Sequence, residues 1–217
     1  MIKIDTSLIS DKVVAELRRQ VLYGTLKPGQ EIYQEHIAEQ LGVSRMPVRE
    51  AFQILANDGF VTIRPNKTTV VNEVTEKFVK DFYTTRIILE SSAVQMACAN
   101  HPDCRKAWDA YEKGEEMIER KDMVGYNIQN ALIHRFIWDA ADNFKLRQIL
   151  ASMWHTMDAG YNPYEVARQS NDQHRELILA IETNDPIRGA HVIRMHIQNS
   201  IDGVLRVMKE QRGQKAE

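Results

Sequence analysis

A chain of 217 residues, 43% hydrophobic and 27% charged, has an ordinary globular composition with room for one large or two modest domains. A net charge of −2 and a pI near 6.4 give no overall basic footprint of the kind common in nucleic-acid binders, and no run approaches the roughly 20 apolar residues that cross a bilayer. The start, MIKIDTSLISDK, carries acids and no apolar core, so a signal peptide is not expected. The expectation is a cytoplasmic chain that keeps its only cysteines, Cys98 and Cys104, as reduced, buried or half-buried thiols.

A first helix is predicted over about Ser10–Tyr23, with Val13, Val14, Leu17 and Val21 on its apolar face and Gly24 as its stop. Leu26-Lys27-Pro28-Gly29 reads as a turn and Glu31-Ile32-Tyr33 as a short strand. Ile37, Ala38 and Leu41 edge a short second helix. Gly42 ends it, because glycine takes the left-handed conformation cheaply. Ser44 is expected to cap a third helix through its hydroxyl. Met46 and Pro47 fall in that helix's first turn, where proline costs little. Val48, Ala51, Phe52 and Leu55 recur as its buried stripe, and Arg45 and Arg49 stand one turn apart near its exposed start. Phe60–Ile63 and Thr68–Val71 are β-branched and aromatic, and Arg64-Pro65-Asn66-Lys67 joins them as a hairpin.

Helix, tight turn, helix and hairpin form the layout of a winged helix-turn-helix. An arginine at the start of such a helix can fork onto guanine O6 and N7, worth roughly 1–3 kcal/mol of discrimination. Ser44 and the first amides can hold a phosphate, and Arg64 and Lys67 can follow the backbone or the minor groove. From spacing alone, Arg45 and Arg49 read equally well as solvated charges. Met1–Thr75 carries nine Lys+Arg against nine Asp+Glu, while Val43–Lys67 carries four basic residues against two acidic. The cationic character is local, which predicts modest affinity for one head and a gain from two heads on one DNA.

From Thr75 onward the pattern is helix after helix. Thr75 can cap a helix carrying Phe78, Val79, Phe82, Ile87 and Leu89, with Arg86 and Glu90 at i,i+4 on its polar side. Further helices are predicted over about Cys104–Arg120, about Met123–Ala140, from an Asp142 or Asn143 cap to about Met157, over about Tyr164–Glu182, and from Asp185-Pro186 to about Met208. The fold class expected is mainly α: a winged helix-turn-helix with a small β wing over residues 1–74, and an all-helical bundle of six or seven helices over residues 75–217.

His134, His155, His174, His191 and His196 fall on the last predicted helices. Asn130 and His134, at i,i+4, point one way from one helix, and His174 and His196 come from two others. Three imidazoles and an oxygen can hold a divalent ion and leave positions open. Spacing alone favours scattered core or surface histidines over a metal site. His155 reads as packing, and His191 lies off the face of His196.

Tyr23-Gly24-Thr25-Leu26-Lys27-Pro28-Gly29, Ala38-Glu39-Gln40-Leu41-Gly42-Val43-Ser44-Arg45-Met46-Pro47-Val48-Arg49-Glu50-Ala51 and Asp58-Gly59-Phe60-Val61 resemble the N-terminal domain of GntR-family bacterial transcription regulators, over about Val13–Val71. Met46 stands where that family more often has threonine, and Asn66 where some relatives have glycine. Asn130-Ala131-Leu132-Ile133-His134, Asp172-Gln173-His174-Arg175 and Met195-His196-Ile197 resemble the metal-binding pattern of the FCD domain of the FadR-like branch, over about Thr75–Met208.

The resemblance implies a ligand-responsive transcription regulator, a repressor acting as a homodimer on a palindromic double-stranded operator. Its DNA-binding residues would be Ser44, Arg45, Met46, Pro47, Arg49, Asn66 and Lys67. Asn130, His134, His174 and His196 would hold a divalent metal, zinc first, with nickel or manganese next. A small carboxylate effector would complete the coordination, with Arg86 facing it. Two alternatives stand beside this: the same DNA-binding role with a structural metal or an apolar effector, and a metalloenzyme. No HExxH or similar helix motif supports the latter.

Overall fold

The computed structural model describes residues 7–22, 24–65, 68–154 and 164–213. Its contacts group the chain into two compact units: Met1–Val79 with Trp154–Ala159 and Leu205–Glu217, and Lys80–Met153 with Gly160–Val204.

The first unit contains α1 (Ser7–Leu22), β1 (Glu31–Ile32), α2 (Gln34–Leu41), α3 (Arg45–Asn57), β2 (Val61–Ile63) and β3 (Thr69–Val71). Val13, Val14, Leu17 and Val21 of α1 are buried, as are Val48, Ala51, Phe52 and Leu55 of α3. The strands make one antiparallel sheet in the order β1-β3-β2. Thr69 lies opposite both Ile63 and Ile32, so the short strand expected at Glu31 does pair with the hairpin.

Arg18 is the feature of this unit that periodicity conceals. It is 1% exposed, ion-paired to Asp58, with its guanidinium 5.9 Å from the Phe60 ring centre. Burial pushes its pKa below the ordinary arginine value, against the charge of Asp58. A buried charge is tolerable only when paired. The pair therefore ties α1 to the end of α3 and the start of β2.

Beyond Val74 the chain is helical: α4 (Glu76–Asn100), α5 (Arg105–Glu119), α6 (Met123–Ala140), α7 (Phe144–Trp154), α8 (Tyr164–Glu182) and α9 (Pro186–Gly213). Caps explain the starts. Thr75 Oγ1 accepts from the Phe78 amide at 3.1 Å, Asp122 from Gly125 at 2.9 Å, and Asp185 from Arg188 at 3.0 Å. Of the two candidates before α7, Asn143 takes the role, accepting from Leu146 at 3.0 Å; Asp142 instead adopts a left-handed φ of 48°. α9 continues to Gly213, past the expected end near Met208.

The second unit's core is Ile133, Ile137, Leu177, Ile178, Ile181, Ile193 and Ile197. Gly189 lets α9 approach closely: a Cβ there would stand 2.5 Å from Val94 Cγ1 and 3.5 Å from Ala180 Cβ. Both cysteines are free and buried. Cys98 donates to the Ala180 carbonyl and Cys104 to that of Pro102, each at 3.6 Å. Burial pushes both thiols up, that of Cys104 to about 11.

Candidate DNA-reading surface and histidine centre

Gly42 sits at φ 64°, ψ 34°, the left-handed cap of α2, and lets the chain turn directly into α3. Ser44 has the extended backbone of an N-cap, but its hydroxyl makes no cap hydrogen bond, contrary to expectation. The usual partners are the amides of the second and third helical residues. The third is Pro47, which has no N–H.

Ser44, Arg45, Met46 and Arg49 are exposed, whereas Pro47 and Val48 are buried. Pro47 thus sets the helix start and turns inward. Arg45 Nη1 lies 2.8 Å from Glu35 Oε1, with both side chains about two-thirds exposed at 70% and 69%. Arg49 Nη2 lies 3.9 Å from the sulfur of Met46, three residues back on the same helix. Arg64 pairs with Glu31 at 3.0 Å, and Glu31 also accepts from the Tyr33 hydroxyl at 2.7 Å. Asn66 and Lys67 lie outside the described residues.

In the second unit, α6, α8 and α9 bring His134, His174 and His196 together. All three are buried, and their candidate ligand nitrogens lie within 4.8 Å of one another. His134 Nε2 is 3.1 Å from His196 Nε2. Two nitrogens each about 2.0–2.1 Å from one ion stand about 3.0–3.4 Å apart, so that spacing suits a shared metal. Asn130 Oδ1 and His174 Nε2 are buried with no hydrogen-bond partner among the described residues. An orphaned buried polar atom costs about 1–3 kcal/mol, a cost a cation would remove. The three imidazoles therefore fit a divalent metal. His155 lies outside the described residues, and His191 is exposed.

A layer of oxygens surrounds the three rings. Glu90 Oε2 is 2.7 Å from His134 Nδ1 and accepts from Trp138 Nε1 at 3.3 Å. Asn171 Oδ1 is 3.5 Å from His174 Nδ1, and Gln173 Oε1 is 3.3 Å from His196 Nδ1. Asn171 is held in turn by donating to Glu115 at 2.6 Å and to the Tyr111 carbonyl at 3.3 Å.

Arg86 Nε donates to Glu90 Oε1 at 2.7 Å. The i,i+4 pair is real, but it is interior, at 11% and 0% exposure. Burial alone would raise the Glu90 pKa; attraction to His134 and Arg86, and the hydrogen bonds from both, outweigh it and hold the carboxyl well below the usual range. Burial, then the neighbouring imidazoles, pushes His174 and His196 well below the ordinary histidine value. Both stay neutral near pH 7, the form that can ligate a metal. The resemblance pointed to Arg86 and the histidines; neither it nor the periodicity pointed to Glu90, Trp138, Asn171 and Gln173 as partners of the rings. Trp138 at i+4 from His134 and Asn171 at i−3 from His174 share the ligand faces, and that spacing was the available signal.

A winged helix-turn-helix followed by a helical unit with a buried ligand centre defines a class: DNA-binding regulators that answer to a small molecule. The chain belongs to the gntR family of bacterial regulatory proteins: residues 9–71 match that family's model and residues 81–199 match the FCD domain. It is similar to the HTH-type transcriptional regulator McbR of Escherichia coli (strain K12), 27% identical over 199 residues, 88% of this chain and 90% of that one. It is also similar to a probable D-xylose utilization operon transcriptional repressor of Paenarthrobacter nicotinovorans, 28% identical over 198 residues, 88% and 84% of the two chains. The solved structure of E. coli McbR/YncC matches with a TM-score of 0.70 at 26% identity, covering 95% of this chain and 99% of that one. The chain is a transcription regulator that binds DNA through its first unit and a small molecule through its FCD domain. Among the described residues, no helix is long and apolar enough to cross a membrane.

Proposed function

We propose that this regulator is a homodimeric repressor of a metabolic operon, released by a small carboxylate that binds at a metal in the FCD domain. The observation that carries the reading is the buried trio His134, His174 and His196; Asn130, whose oxygen is buried and unpartnered one turn before His134 on α6, is the proposed fourth ligand. Zinc is the first candidate, with nickel and manganese next. A bound divalent cation supplies a Lewis-acidic centre that attracts an anionic ligand. Arg86, held by Glu90, is the cation this reading assigns to the effector's carboxylate. The repressor sign is supported by the printed role of the Paenarthrobacter relative.

Residues 1–74 form the reading head and residues 75–217 the effector and dimerisation domain. Ser44, Arg45, Met46 and Arg49 face the DNA, Pro47 shapes the helix that carries them, and Asn66 and Lys67 reach it from the wing. Two heads meet half-sites of a palindrome one helical turn apart.

Gel shifts on a duplex selected by the wild-type chain from random sequence test both halves. Arg49→Ala should lose about 1–3 kcal/mol at that duplex; normal binding would end the recognition-helix assignment. His174→Ala should keep DNA binding and lose the response to metal plus organic or sugar acids. If chelator-dialysed protein keeps both its melting temperature and its effector affinity, the metal has no part in sensing.

A further inference from the structure

Of the three imidazoles, only His134 faces a carboxylate; the other two face the amides of Asn171 and Gln173. The distinction matters. Asn171 presents its oxygen to His174 because its NH₂ is spent on Glu115 and the Tyr111 carbonyl, while the amide of Gln173 can offer either end to His196. An ionised carboxylate is acceptor-only.

We propose that Glu90 is a positioning residue that fixes the tautomer of His134, and that Arg86 and Trp138 hold Glu90 in that role. This rests on the metal reading given above. Glu90 is fully buried. Its Oε1 takes the Nε–H of Arg86 at 2.7 Å. Its Oε2 takes the indole N–H of Trp138 at 3.3 Å and faces His134 Nδ1 at 2.7 Å. Arginine and indole can only donate, so both carboxylate oxygens are committed as acceptors. The hydrogen on the imidazole must then sit on Nδ1, and the Nε2 lone pair turns toward His196 Nε2, 3.1 Å away. That is the atom a metal needs. A carboxylate behind a ligating histidine also raises its basicity, and losing such a partner typically costs 10- to 100-fold in metal affinity.

Glutamine at this place cannot substitute. One amide oxygen would have to serve Arg86 on one side and Trp138 on the other. Whichever way the amide turns, its NH₂ meets a donor or forces His134 Nδ1 to become an acceptor. With the NH₂ toward Arg86 that arginine loses its acceptor; with the NH₂ toward His134 and Trp138 the ring would carry its hydrogen on Nε2, pointing into the ligand site.

The first test needs no variant. Nitrogen-15 NMR of imidazole-labelled, zinc-free wild-type protein should show hydrogen on Nδ1 of His134; a bare Nδ1 overturns the inference. The second test titrates metal-free protein with Zn²⁺ against a chromophoric chelator. Folded Glu90→Gln should bind 10- to 100-fold more weakly than wild type; equal affinity overturns the inference. If Glu90→Gln does not fold, the wild-type tautomer decides. A merely structural Glu90 would lower the melting temperature of the variant without weakening its zinc affinity. A wild-type chain that binds no zinc would defeat the metal reading while leaving the tautomer measurable, so the two failures are distinct.

Discussion

The start of α3 with the wing and the histidine centre use the same pairing chemistry in opposite surroundings. On the head, Arg45–Glu35 and Arg64–Glu31 lie in water, at 70%/69% and 51%/43% exposure. In the bundle, Arg86, Glu90 and His134 are at 11% or less. Exposed pairs are worth about 0.2–1 kcal/mol and are screened by salt. An arginine so held can leave its carboxylate for a phosphate at little cost. A buried pair cannot open without stranding a charge. Exchangeable charges suit a surface that must come on and off DNA, and fixed charges suit a site that must aim a lone pair.

The sharpest way to break this contrast is Arg86→Leu. It leaves Glu90 buried without its cation, and the expected loss is about 3–5 kcal/mol, read by urea unfolding in chelator. Stability close to wild type would show the interior pair behaving like a surface one.

Acid gives the next largest effect. Burial holds His174 and His196 well below the ordinary value, whereas in the unfolded chain they titrate near about 6.5. Below that pH the unfolded chain takes up protons that the fold refuses. Metal-free protein should therefore lose stability as pH falls from about 6.5, by up to about 1.4 kcal/mol per group per pH unit. Above about 6.5 these two groups contribute no slope. Glu90, held below the carboxylate range, acts in the same direction at lower pH. Unfolding curves at several pH values check the sign, and a flat profile from about 6.5 to 5 would contradict the buried, neutral assignment.

The smallest effect belongs to the head. Glu35→Gln should change stability by no more than about 0.5 kcal/mol, as for surface substitutions generally. It should tighten binding to random-sequence DNA a few-fold at low salt, with the gain fading as salt rises. A large stability loss would mean that Arg45–Glu35 is structural after all.

Much of this was legible in the sequence because it is local. Met123–Ala140 has the same ends in the fold as in the periodicity, since its Asp122 cap stands next to it in the chain. The convergence of His134, His174 and His196 was suggested by resemblance; no spacing within one helix encodes it. The environment of the charges was not legible. Arg18 meets Asp58 across 40 positions and Glu90 meets His134 across 44, distances over which hydrophobic periodicity is blind. The i,i+4 spacing of Arg86 and Glu90 looked like an ordinary surface pair because periodicity does not say which neighbouring helix covers it. The Ser44 cap failed for a local reason that was readable: the proline that favours the helix start also removes one of the amides the hydroxyl would have bonded.

The two cysteines offer a built-in clock. Alkylation and disulfide exchange both require a thiolate within reach of the reagent, and Cys98 and Cys104 are 0% and 4% exposed with thiols shifted upward. The native chain should be indifferent to air and slow to take up maleimide. Each labelling event then records a moment when the bundle has come apart around α4 or the start of α5, so thiol kinetics with and without added zinc measure how firmly an ion fastens these helices.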